Sequence, residues 1–140
     1  MKYTLSLLVV VGIIALFGCI RQEQKGKVYG YENLLEDLRA KGTNVEVAGE
    51  IEQVFFSVKG KVIKVNGEDV QVFEYNSEDE ANLQAGLVSR DGSSVGTSMI
   101  SWIDEPHFYE KGKIIVIYIG QNPTIKELLS SIFGEQFAGW

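Results

Sequence analysis

Few residues in this chain are able to do chemistry. His107 is the only histidine among 140 residues, and Cys19 is the only cysteine. A nucleophilic triad needs a base within about 3 Å of a hydroxyl, and an acid to orient that base. Asp104 and Glu105 are near enough in sequence to orient His107, and Ser94, Ser98 and Ser101 lie upstream. A small hydrolase using His107 with Asp104 is therefore one expectation. Against it, a lone histidine beside Phe108 on a β-rich segment is more often packed than catalytic. The sequence names no catalytic residue.

Metal and phosphate chemistry fare no better. Asn66-Gly67-Glu68-Asp69 and Glu78-Asp79-Glu80 lack the spaced oxygen ligands of a calcium loop. Turn chemistry accounts for the first and helix capping for the second. One cysteine and one histidine leave no disulfide framework and no Cys-rich zinc site. Gly26 to Gly30 and Ser89 to Gly96 hold glycines, but not the Gly-x-x-x-x-Gly-Lys-Ser/Thr of a phosphate cradle. No metal and no cofactor is expected. A formal charge of −6 argues against nucleic acid as a partner, because a phosphate backbone asks for clustered Lys and Arg.

Aromatic residues are the remaining informative class. Strand alternation cannot bury all of them on one face. Most are expected to pack as core and helix contacts; Phe73, Tyr75, Trp102, His107, Phe108 and Tyr109 are the candidates for a surface that would bind a protein or a small hydrophobic ligand. Phe137 and Trp140 are expected either to cover a core edge or to meet a bilayer interface.

The strongest local signal concerns destination. Met1 and Lys2 precede a run from Tyr3 to Ile20 with no charged side chain, and Leu7 to Phe17 is almost purely Leu, Val and Ile. A cationic start, an apolar run and small residues at its end describe an export signal. The run is also at the lower limit of what spans a bilayer, so an uncleaved anchor is the rival. Leu16-Phe17-Gly18-Cys19 resembles the bacterial lipobox, although Phe17 is bulkier than usual before the small residue. That resemblance implies a thioether-linked diacylglyceryl group on Cys19 and cleavage just before it. Each buried methylene contributes about 0.8 kcal/mol, so two or three acyl chains anchor stably. The expected organisation is a signal peptide over 1–18, a lipidated tether over 19–27 and one domain over 28–140. The protein is then held at the cell membrane, on its extracytoplasmic face, through lipid on Cys19.

The elements that must position these groups follow from periodicity. Tyr31, Leu34, Leu35 and Leu38 keep helical spacing, and Gly42 is a natural stop. Thr43 to Val47 alternates as a strand that Gly49 breaks. Val54 to Val58 reads as a strand. Lys61 to Val65 and Val70 to Tyr75 flank Asn66-Gly67, a strong hairpin signal. The hairpin puts Gln71, Phe73 and Tyr75 on one face. Ser77-Glu78-Asp79-Glu80 reads as a capping box for a helix striped by Ala81, Ala85 and Val88. Ser89 to Gly96 reads as a mobile loop. Thr97 to Ile103 is strand-prone, Pro106 interrupts it, and His107-Phe108-Tyr109 resumes. Gly112 centres a tight turn, and Ile114 to Ile119 suits a central strand covered on both faces. Asn122 and Pro123 start a last helix on Ile125, Leu128, Leu129, Ile132 and Phe133, which Gly134 ends.

The expected fold is α+β: one mainly antiparallel sheet of about five to six strands, with about three helices packed on it, after an N-terminal signal helix. Phe73-Glu74-Tyr75, Ser89-Arg90-Asp91-Gly92, Trp102, Pro106-His107-Phe108-Tyr109, Lys111-Gly112, Ile114 to Gly120 and Gln136-Phe137-Ala138-Gly139 together resemble a set of small uncharacterised prokaryotic lipoproteins. Arg90 stands where that set would have a proline. The resemblance covers most of the mature domain and implies a lipoprotein and a single domain, but no activity. The leading expectation is a lipid-anchored binding or interaction module. A structural accessory subunit of an envelope complex is a further alternative.

Overall fold

A computed structural model describes residues 26–140. The expected signal peptide, Cys19 and most of the tether lie outside the described residues. Among those described, no helix is long and apolar enough to cross a membrane.

The chain runs as helix α1 (Tyr31–Ala40), strands β1 (Val45–Ile51), β2 (Gly60–Val65) and β3 (Glu68–Glu74), and helix α2 (Glu78–Ala85). Two short strands follow, β4 (Ser94–Val95) and β5 (Ser98–Met99), then β6 (Pro106–Lys111) and β7 (Ile114–Ile119). Helix α3 (Pro123–Phe133) and the short β8 (Ala138–Gly139) complete it. Six strands form one sheet in the order β1-β2-β3-β7-β6-β8, and every neighbouring pair is antiparallel. The fold is α+β, with three helices on a mainly antiparallel sheet.

β7 lies inside the sheet because it can afford to bury both faces: its first five residues, Ile114 to Tyr118, are all buried. Alternation splits them between two cores. Ile114, Val116 and Tyr118 join Ile63, Val65, Val70 and Val72 under α1 and α3. Ile115 and Ile117 join Phe73, Tyr75 and Phe108 under α2 and the loops. The helices therefore cover both faces of the sheet, two on one side and one on the other.

Local chemistry sets the ends of these elements. Asn66 and Gly67 have φ of 50° and 87°, the paired positive values a tight hairpin between right-twisted strands demands. Gly112, at φ 55°, turns β6 into β7 and lies against the backbone of Tyr29, where a side chain would clash. The Asn122 side chain accepts from the Thr124 N–H at 3.0 Å, with Pro123 in the first turn. Ser77 accepts from the Glu80 N–H at 3.2 Å. The Glu80 carboxylate reaches back one residue further than a capping box predicts, to the Asn76 N–H.

Several expectations need correction. β1 does not end at Gly49; it passes through as a bulge, shifting register between Val47 and Gly49. Val54 to Val58 is turns and bends, not a strand. Adjacent Phe55 and Phe56 both enter one aromatic cluster, which an alternating strand forbids: Phe56 meets Phe73 at 4.9 Å and Phe55 meets Trp102 at 6.0 Å. Only Ser98–Met99 of Thr97 to Ile103 is strand, because Trp102 turns inward and donates its indole N–H to the Gly92 carbonyl at 2.7 Å. Ser89 to Gly96 is built rather than loose. Asp91 accepts from the Ser89 hydroxyl and from both the hydroxyl and the N–H of Ser93. α2 stops at Ala85, and Val88 instead bridges to Val95. β6 begins on Pro106 itself, a first-strand position that tolerates the missing N–H.

Candidate binding cleft

The six candidates for a binding surface lie mostly in the two cores, the other placement expected of them. Phe73, Tyr75 and Phe108 are buried on the α2 side of the sheet. Tyr109 is buried on the other side, and His107 pairs there with Tyr118 across the β6–β7 ladder. Alternation along β6 forces this split: Phe108 points one way, His107 and Tyr109 the other. Of the six, only Trp102 reaches solvent appreciably. An exposed aromatic patch, which an accessory subunit would present, is not what these residues form.

His107 is fully buried. Its Nε2 lies 2.9 Å from the Gly120 carbonyl oxygen, its Nδ1 lies 2.6 Å from Gln136 Oε1, and its ring stacks on Tyr118 at 5.9 Å. Both ring nitrogens are therefore occupied. Gln136 in turn donates from Nε2 to the Trp140 carbonyl at 2.9 Å. The imidazole is a bolt between β6, the end of β7 and the C-terminal segment. A ring so enclosed presents no free nitrogen to a cleft, and the geometry lends no support to a hydrolase built on His107 and Asp104. Asp104 accepts instead from Gln121 Nε2 and from the Glu105 N–H, each at 2.8 Å. These two bonds, that from Gln121 first, hold its carboxyl below the usual range.

Asp104 does line a cleft of about 520 Å³, with Ser93, Ser101, Trp102, Glu105, Gln121 and Trp140 around it and Ile100 and Ile103 as apolar wall. The loop between β5 and β6 supplies most of the lining. The loop between β7 and α3 adds Gln121, and the C-terminal segment adds Trp140. Trp102 is fixed from behind. Besides its bond to Gly92, its ring meets Phe55 and Phe108 edge-on at 6.0 and 5.7 Å. Trp140 is 70% exposed, although its N–H donates to the Pro106 carbonyl. Ile103 itself is almost fully exposed at the rim, and exposed apolar side chains also stand at Val54 and at Met99 of β5. Gln121 and Trp140 had no local signal marking them as partners of Asp104, since 17 residues separate Asp104 from Gln121.

The cleft and the tether are at opposite ends of the sheet. The tether's end enters beside the β6–β7 turn, where the Lys113 N–H donates to the Tyr29 carbonyl at 2.9 Å. The cleft opens beyond the far end of β7, where the Gly120 N–H donates to the Glu105 carbonyl at 2.9 Å. One strand of this length separates them, about 20 Å. Comparison with family models, curated proteins and solved structures finds no match to this chain.

Proposed function

We propose that this protein is a lipid-anchored, extracytoplasmic binding module that holds its ligand in the cleft lined by Trp102 and Trp140. The reading is carried by Leu16-Phe17-Gly18-Cys19 at the end of an apolar run, the arrangement that asks for acylation at Cys19. The fold supports it in one respect: a chain tethered through residues 19–27 enters the domain at the end of the sheet remote from the cleft. The cleft then faces away from the bilayer, toward whatever lies outside. The partner is a small ligand or a protein segment with some apolar surface, not nucleic acid.

Two measurements test this. Intact mass of the membrane-extracted protein should show loss of residues 1–18 and added acyl mass on Cys19. An unprocessed and unacylated N-terminus overturns the anchor. The chain has only two tryptophans, both in the cleft, so its indole fluorescence reports that site alone. With the protein in vesicles, an aqueous quencher should reach the tryptophans and a lipid-borne one should not. Strong quenching by the lipid-borne probe overturns the outward placement.

A further inference from the structure

The chemistry of the cleft narrows what it takes. Two carboxylates, Asp104 and Glu105, line it, and no Lys or Arg does among the described residues. Negative charge gathered in a concave surface raises the local concentration of cations and repels phosphates and carboxylates. Asp104 spends Oδ1 on Gln121 and on the Glu105 N–H, which leaves Oδ2 free to meet a ligand. A bare metal ion fits poorly, because among the described residues no three His, Cys, Asp or Glu side chains are grouped to hold one. The rest of the lining is of another kind. Indole faces attract organic cations through the ring quadrupole, most strongly where the cation is partly desolvated. Ile100 and Ile103 offer apolar contact to the body behind the charge, and Ser93 and Ser101 offer hydroxyl oxygens to any N–H it carries.

We infer that the cleft lined by Trp102, Trp140, Asp104 and Glu105 binds a small organic cation, an ammonium head on a short apolar body. The indole of Trp102 is already positioned by its bond to Gly92 and by Phe55 and Phe108, so little ordering is needed there on binding. Trp140, largely exposed and held through its N–H to the Pro106 carbonyl, lines the cleft at the same end of the sheet and offers the second indole. This inference rests on the cleft being the binding site, and is independent of the anchor at Cys19.

The test is a fluorescence titration of the purified full-length mature chain in detergent, with choline as probe and its uncharged tert-butyl isostere as control. Choline should change the indole emission saturably, and the isostere should bind at least about tenfold more weakly. Asp104→Asn should weaken choline by about tenfold and leave the isostere unchanged, and Trp140→Ala should weaken choline by several-fold. Equal binding of choline and the isostere overturns the inference, while leaving the cleft as a site for neutral ligands. So does saturable binding of a neutral sugar without choline. No response to any probe overturns both the cation and the cleft as binding site, with the anchor still judged by mass. Vesicles of phosphatidylcholine separate the sources of the head: a choline-like response to them supports a lipid headgroup, and silence beside a response to free choline supports a free solute.

Discussion

At the scale of the residue, His107 shows how a reactive side chain becomes a structural one. A polar partner at each ring nitrogen and a stacked ring enclose the imidazole on every side. His107→Ala should therefore cost about 2–4 kcal/mol, a cavity together with the lost hydrogen bonding to Gly120 and Gln136. A urea midpoint unchanged from wild type would contradict this role. Glu110 is the opposite case, since its Oε1 is buried without a partner. Burial first, and the charge of Glu78 second, raise its carboxyl above the ordinary range. A raised carboxyl favours the folded state while protonated. Its contribution is present below the ordinary carboxylate value and is lost as pH rises through the raised one. Glu110→Gln keeps the neutral form at every pH, so its advantage in unfolding free energy should grow from about pH 4 to about pH 7, staying below about 1 kcal/mol because the group is partly exposed. Asp91 has the reverse sign. The N–H of Ser93 and the hydroxyls of Ser89 and Ser93 lower it to about 2, so the stability it lends is present above the ordinary carboxylate range and lost as pH falls toward 2.

At the scale of the element, the boundaries carrying cap and turn chemistry were legible, and those carrying only β-propensity were not. Asn122-Pro123, Ser77, Asn66-Gly67 and Gly112 act through their own backbone and first neighbours, so sequence order places them. Asn122→Ala should cost about 1 kcal/mol through the lost cap, and somewhat more because Asn122 also bonds Glu68, the first residue of β3. Thermal unfolding of Asn122→Ser, which restores the cap but not the bond to Glu68, should fall between wild type and Asn122→Ala. Val54 to Val58 and most of Thr97 to Ile103 depart from strand for one reason. Phe55, Phe56 and Trp102 gain more by packing with Phe73 and Phe108 than by pairing as strands, and those partners lie far along the chain.

At the scale of the whole molecule, stability and recognition are drawn from different places. Ile115 is fully buried within the central strand, and Ile115→Ala should cost about 2–5 kcal/mol. Trp140 is largely exposed, and Trp140→Ala should leave stability within about 0.5 kcal/mol while impairing the cleft; a large drop in Tm would instead make Trp140 a core lid. The sequence by itself determined the α+β class, the hairpins, the central apolar strand and the expectation of an anchor at Cys19, because each rests on periodicity, turn geometry or a contiguous string. Tertiary structure alone decided that His107 is enclosed, and that Phe73 and Tyr109 back onto different helices. It also decided that Asp104 belongs with Gln121 and Trp140 rather than with His107. Those facts depend on which strands pair and in what register, and pairing is set by the summed burial of two whole faces, which no local run of residues encodes.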